Sequence, residues 1–225
     1  MPWRDWIRTV EVEPSLYGAD FSRLGEQIDA LLDVDCRVFH FDVGDGHFVE
    51  PITIGPIVLQ WISPGVHARG GALDVHLMVE RPAKYFEAIA AAGGDSVTFH
   101  VEAVDDVQAT IDAAREQGLQ AGVAFNPETE PERVAAVAGG ADLVLCMSIH
   151  PGYSGQPFRE ETFGRVERLR AALPADVAIQ VDGGVGTANI TELRDRGASL
   201  FVAASSIFAR DDQPAAYRKL LRALA

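Results

Sequence analysis

Lysine is almost missing from this 225-residue chain: Lys84 and Lys219 are the only two, and neither follows an apolar, strand-like run. A Schiff-base aldolase needs a buried amine beside its reacting carbon, so that chemistry is disfavoured. Positive charge is short overall, with 19 Lys+Arg against 33 Asp+Glu and a formal net charge of -14. Nucleic acid and anionic membrane surfaces recruit basic proteins, so neither is expected as a partner. Cysteine is confined to Cys36 and Cys146, far apart in apolar surroundings. Free thiols in a reducing compartment fit that usage better than a disulfide. No apolar run reaches the roughly 20 residues of a membrane helix. Met1 to Val10 carries charges throughout and lacks a signal core. A cytoplasmic protein is expected. The dinucleotide fingerprint and the Walker A loop are missing as well.

What the chain does contain is a regular alternation of strand-like and helix-like runs. Eight β-branched or apolar runs stand at Thr9–Ser15, Arg37–Val43, Leu73–Met78, Ser96–Val101, Gln120–Phe125, Leu143–Met147, Ala178–Val181 and Ser199–Ala203. Amphipathic stretches lie between them, at 21–32, 83–92, 105–117, 131–137, 160–173 and 188–196, with a last one at 213–224. The segment after the second run reads as looser, with a short helical stretch near Pro56–Trp61. Eight strands, each followed by a helix or helical turn, predict an α/β fold of the (β/α)8 TIM-barrel type. An open doubly wound sheet is the alternative. Nothing divides residues 1–225, so one barrel domain is expected.

A barrel carries its functional residues at the C-terminal ends of its strands. Side chains two apart on a strand share a face. His40 and Asp42 therefore point one way at the end of the second strand, and Asp74 and His76 do the same on the third. The seventh strand ends in Asp182-Gly183-Gly184. Two imidazoles and two carboxylates, from His40, Asp42, His76 and Asp182, make a site for one divalent metal ion. Zinc, iron or manganese suits that set, and a thiolate-free set is not a structural zinc site. Each histidine taken alone is equally a satisfied core residue. Asp74 is either a partner that orients a ligand histidine or an ordinary buried acceptor.

The loop after the sixth strand, with Gly152, Tyr153, Ser154 and Gly155, could close over a ligand or be a plain turn. Gly183-Gly184 and the Ala204-Ser205 strand end stand where barrels bind phosphate through backbone N–H groups. A tight strand-to-helix turn explains the two glycines equally well. Ser15, at the end of the first strand, could donate to a substrate hydroxyl or cap the next segment.

These segments, in order, resemble the ribulose-phosphate 3-epimerase family. The resemblance is carried by Pro14-Ser15-Leu16 with Ala19-Asp20-Phe21, His40-Phe41-Asp42-Val43 with Asp45-Gly46-His47-Phe48-Val49, and Asp74-Val75-His76-Leu77-Met78-Val79. Asn126-Pro127, Met147-Ser148, Pro151-Gly152, Gly155-Gln156, Phe158 and Val181-Asp182-Gly183-Gly184 continue it, so that it spans about Val12 to Phe208. It implies an isomerase of carbohydrate metabolism, in the pentose phosphate pathway, that interconverts D-ribulose 5-phosphate and D-xylulose 5-phosphate. It further implies one divalent metal ion, zinc first with iron, manganese or cobalt as alternatives, on His40, Asp42, His76 and Asp182. Asp42 and Asp182 would exchange protons on opposite faces of C3 through an enediolate. Ser15, His76 and Met78 would line the sugar. The loops holding Gly152, Tyr153, Ser154 and Gly155, Gly183-Gly184 and Ala204-Ser205 would hold the phosphate. A homo-oligomer is expected, with Trp3, Trp6 and Trp61 as candidates for packing or contact.

The chain departs from the family pattern at several places. Gly44 stands where a methionine is usual, which implies a larger or wetter pocket, with Tyr17 placed to refill it. Glu50-Pro51 replaces Pro-Asn, Tyr153 and Ser154 are altered, and Ala204 replaces a glycine at the phosphate site. A hexulose 6-phosphate is therefore an alternative substrate, and a non-catalytic phosphosugar-binding barrel the alternative class.

Overall fold

A computed structural model describes residues 10–153 and 155–225. The eight strands are β1 (Glu11–Pro14), β2 (Val38–Gly44), β3 (Ala72–Met78), β4 (Ser96–His100), β5 (Gln120–Phe125), β6 (Leu143–Met147), β7 (Ala178–Asp182) and β8 (Leu200–Ala203). All neighbouring pairs are parallel, in the order β1-β8-β7-β6-β5-β4-β3-β2. A parallel bridge between Ser15 and His40 joins the two ends of that order and closes the ring. The fold is a (β/α)8 barrel, and the open-sheet alternative falls away.

Two kinds of core hold the barrel. Outward-facing residues such as Val12, Phe39, Phe41, Val75 and Phe99 pack with the surrounding helices in one large cluster. The interior is divided. Val38, Ala124, Leu143, Leu145, Met147 and Leu200 form a smaller apolar cluster within it. Glu13, His40, Asp74, Ser96, Thr98 and Gln180 are buried polar groups on β1, β2, β3, β4 and β7. Hydrogen bonds that link Glu13, His40, Asp74, Ser96 and Gln180 hold this half of the barrel.

The helices match the amphipathic stretches with trimmed ends. Residues 21–32 begin with a 3-10 turn, Phe21–Arg23, capped by Asp20, before the α-helix Leu24–Leu32. One expectation needs correction. The stretch near Pro56–Trp61 belongs to a helix of 13 residues, Pro56–Ala68. Pro64 and Gly65 hid its second half, because both disfavour helix interiors. Burial of Leu59, Ser63 and Val66 outweighs those local preferences. Trp61 is exposed on this helix, whereas Trp3, Trp6 and Ser154 lie outside the described residues.

Candidate active site

Four side chains converge at the C-terminal mouth of the barrel. His40 and Asp42 come from β2, His76 from β3 and Asp182 from β7, and one ligand atom of each lies within 4.8 Å of the others. Register makes this grouping: Asp42 pairs directly with His76 across β2 and β3. His40 Nε2 is 3.3 Å from Asp42 Oδ1. His76 Nδ1 is 3.0 Å from the same oxygen.

The far sides of these groups are held in turn. His40 Nδ1 meets Asp74 Oδ2 at 3.0 Å, so Asp74 is the partner that orients this histidine. The other Asp74 oxygen accepts from the Ser96 hydroxyl at 2.6 Å. The Ser15 hydroxyl donates to Asp42 Oδ2 at 2.6 Å. Thr53 braces the backbone on both sides of that aspartate: its hydroxyl donates to the Asp42 carbonyl at 2.8 Å and accepts from Gly44 N–H at 2.6 Å. The Asp182 carbonyl accepts from the Ser148 N–H and hydroxyl, each at 2.8 Å.

Acidic side chains dominate the site. Glu13, Asp42 and Asp74 surround His40, and no lysine or arginine among the described residues lines the mouth. Burial alone would lower the His40 pKa, yet the nearby charge of Asp42 and the hydrogen bond to Asp74 hold it well above the usual histidine range. Burial would raise Asp42, but His40 and His76 hold it below the usual carboxylate range. Enclosure of the Asp182 carboxyl, followed by repulsion from Asp42, pushes its pKa up to about 7. Two carboxyls of one site therefore differ in proton affinity.

The residues fit a divalent cation. Two imidazoles and two carboxylates without a thiolate suit zinc, iron, manganese or cobalt. His40 Nε2 is buried and makes no hydrogen bond within the described chain, although its ring sits among carboxylates. A second grouping, Glu13, His40 and Asp74, is fully buried one layer down. There Gln180 Nε2 donates to Glu13 Oε2 at 2.6 Å and Asp74 Oδ2 at 2.8 Å, so an amide occupies that centre.

Above the carboxylates lies a small cavity of about 50 Å³ that opens to solvent. Ser15, Met78, Gly152, Tyr153, Gly155, Gly183, Gly184, Ala204 and Ser205 line it with Asp42 and Asp182, whereas His76 is buried beneath. Gly183 and Gly184 have φ of 113° and 61°, a backbone that side chains rarely adopt. A Cβ on Gly183 would come within 2.4 Å of Ile149.

The larger pocket expected from Gly44 is not found at that residue. A Cβ there would lie 2.9 Å from the Pro51 carbonyl and from Val49, and 3.1 Å from Thr53. The loop from Val49 to Thr53 folds over the glycine and fills the space a side chain would take. Tyr17, three residues past the end of β1, lines the cavity.

Sequence reasoning passed over Glu13, Gln180, Thr53 and His100. Glu11-Val12-Glu13 and Ser96-Val97-Thr98-Phe99-His100 carry the same two-residue alternation that exposed His40 and Asp42. That signal was present. Thr53, in a loop, gave none.

The model of the ribulose-phosphate 3 epimerase family matches residues 11–208. The chain is 38% identical to a protein named ribulose-phosphate 3-epimerase 2 from Cupriavidus necator, over 96% of this chain and 92% of the relative. It is 40% identical to ribulose-phosphate 3-epimerase of Escherichia coli strain K12, over 93% of this chain and 92% of that one. For the Bacillus subtilis protein of the same name the identity is 36%, over 94% and 98%. Among solved structures, 3-hexulose-6-phosphate synthase from Salmonella typhimurium superposes with a TM-score of 0.71 at 19% identity, over 95% of this chain and 98% of that one. That likeness speaks for the barrel alone.

Proposed function

The chain belongs to the ribulose-phosphate 3-epimerase family, and from that premise we propose that it inverts C3 of a ketose phosphate, converting D-ribulose 5-phosphate to D-xylulose 5-phosphate. It is an epimerase and hence an isomerase. The finer reading is a two-aspartate proton transfer at a site built for one divalent metal, zinc first.

One observation carries this reading. Asp42 and Asp182 offer their carboxyl oxygens to one centre from separate strands, and their surroundings drive their proton affinities apart. Inversion needs such a pair: one carboxylate to take a proton, one carboxylic acid to return a proton to the other face. Asp42, ionised, removes the C3 proton and leaves an enediolate. Asp182, protonated, delivers its proton to the opposite face of C3. The pair ends with its protonation exchanged, ready for the reverse reaction. His40, Asp42, His76 and Asp182 would hold a divalent ion, whose positive charge would stabilise the enediolate. The Ser15 hydroxyl keeps Asp42 aimed, and Met78 and Tyr17 form the wall beside the sugar. Backbone N–H groups near Gly183, Gly184 and Ser205 serve the phosphate, in keeping with a mouth that no cationic side chain among the described residues lines.

With a formal charge of -14, nucleic acid is not proposed as a partner. No helix among the described residues is long and apolar enough to cross a membrane. We place the enzyme in the cytoplasm, in pentose phosphate metabolism, as a homo-oligomer.

The test is exchange of the C3 proton with heavy water, run on five- and six-carbon ketose phosphates with and without a chelator. Exchange with ribulose 5-phosphate, without carbon–carbon cleavage and lost on chelation, is expected. No exchange with any sugar would leave a non-catalytic binding barrel. Exchange confined to a six-carbon ketose phosphate would move the substrate assignment.

A further inference from the structure

We propose that His100 is a positioning residue for His76, holding it in the tautomer that leaves Nδ1 free to ligate a metal. The inference rests on the metal reading above.

His76 Nδ1 faces the ligand group, 3.0 Å from Asp42 Oδ1. Its other nitrogen, Nε2, lies 2.9 Å from His100 Nε2. A hydrogen bond between two imidazole nitrogens holds one proton, donated by one ring and accepted by the other. A metal on His76 Nδ1 takes the lone pair there. Neutral His76 must then carry its proton on Nε2 and donate it to His100. His100 Nε2 is thereby the acceptor, and its own proton stands on Nδ1.

The surroundings of His100 suit that tautomer. His100 Nδ1 faces the Glu102 carboxylate, 3.4 Å from Oε2, a charge contact without the geometry of a hydrogen bond. Glu102 is itself fixed, with Oε1 accepting from Asn126 N–H at 2.9 Å and from the Thr129 hydroxyl. The Phe48 ring packs on His100 at 4.8 Å between centroids. The His100–His76 hydrogen bond therefore ends at the metal centre, with the Glu102 charge favouring the His100 proton on Nδ1. It parallels the Asp74 contact behind His40. Partners of this kind orient a ligand histidine and raise its basicity.

His100 does not join the ligand group and does not line the cavity. A plain core histidine would also be buried and bonded, so the test must read metal rather than stability. His100→Leu removes the acceptor. His100→Gln offers a side-chain oxygen in its place. Affinity for Zn²⁺ is measured by competition with a chelating dye, alongside Tm of each metal-free protein. The leucine variant is expected to bind zinc roughly 10- to 100-fold more weakly. The glutamine variant should bind near the wild-type value.

A folded leucine variant that binds zinc as tightly as wild type overturns the proposal. If that variant does not fold, imidazole ¹⁵N shifts of zinc-loaded wild type decide. The expected pattern is Nε2–H on His76 and Nδ1–H on His100, and the reverse overturns the proposal. Wild-type protein that takes up no divalent ion overturns the metal reading itself, a result distinct from either of these.

Discussion

The hydroxyl of Ser15, at the end of β1, donates to Asp42 Oδ2 on β2 across 2.6 Å. Both residues are buried, Ser15 at 3% exposure and Asp42 at 5%. The bond leaves Oδ1 to face the shared centre and restrains the carboxylate from turning. Hydrogen bonds to charged groups contribute about 1.5–3 kcal/mol. Ser15→Ala should therefore lower turnover by roughly 10- to 100-fold if that restraint is realised in the transition state. Steady-state kinetics at saturating substrate check this, and unchanged kcat would refute it.

Asp182 is the second half of the proton pair. Asp182→Asn keeps its size and removes its acid–base capacity. The fold should persist, and turnover should fall by at least about 10²-fold. A circular dichroism melt separates the two effects. Wild-type turnover in a folded variant would dismiss Asp182 from the chemistry.

Glu13 gives a pH-dependent prediction. Burial pushes its pKa from an ordinary 4.5 up to about 8, against the pull of the His40 hydrogen bond. The folded protein thus keeps a proton there that the unfolded chain releases. Its contribution to stability is full below the unfolded value and is lost as pH rises through the folded value. Glu13→Gln removes that dependence, and its amide oxygen can still accept from Gln180. The gain in Tm of the variant over wild type should grow between about pH 5 and pH 8. Parallel curves for the two proteins would contradict the assignment.

The loop over Gly44 predicts a steric penalty. A single added methyl would press within 2.9 Å of the Pro51 carbonyl and Val49. Gly44→Ala should cost about 1–3 kcal/mol. It should also disturb turnover, because Thr53 links Gly44 to the Asp42 backbone. An unchanged Tm and unchanged kcat would mean that the loop yields freely.

Most of the architecture was readable because two simple periods carry it. Alternation on β2 and β3 placed His40, Asp42, Asp74 and His76, and the barrel rule placed the end of β7 beside them. Helix ends were less legible, since the 3-10 turn at Phe21–Arg23 and the long helix Pro56–Ala68 depend on packing that overrides local preference. The space at Gly44 was misread for a related reason: a missing side chain shows in sequence, but the loop that comes to fill it does not. His100 was legible in principle, since Ser96, Thr98 and His100 repeat the inward pattern. Its carboxylate neighbour Glu102 stands two residues on, as Asp42 does from His40, but past the end of β4, where the strand alternation no longer places it.

Where the barrel closes has a consequence for its mechanics. Ser15 and His40 form the bridge between the first and last members of the sheet order, and both also touch the reactive centre. The clasp of the ring and the clasp of the site are one structure. Any breathing motion that parts this seam must dismantle the Asp42 environment with it. Occupancy of the centre should fasten the whole cylinder, so that amide protons of β1 and β2 exchange more slowly in the loaded protein than in the empty one.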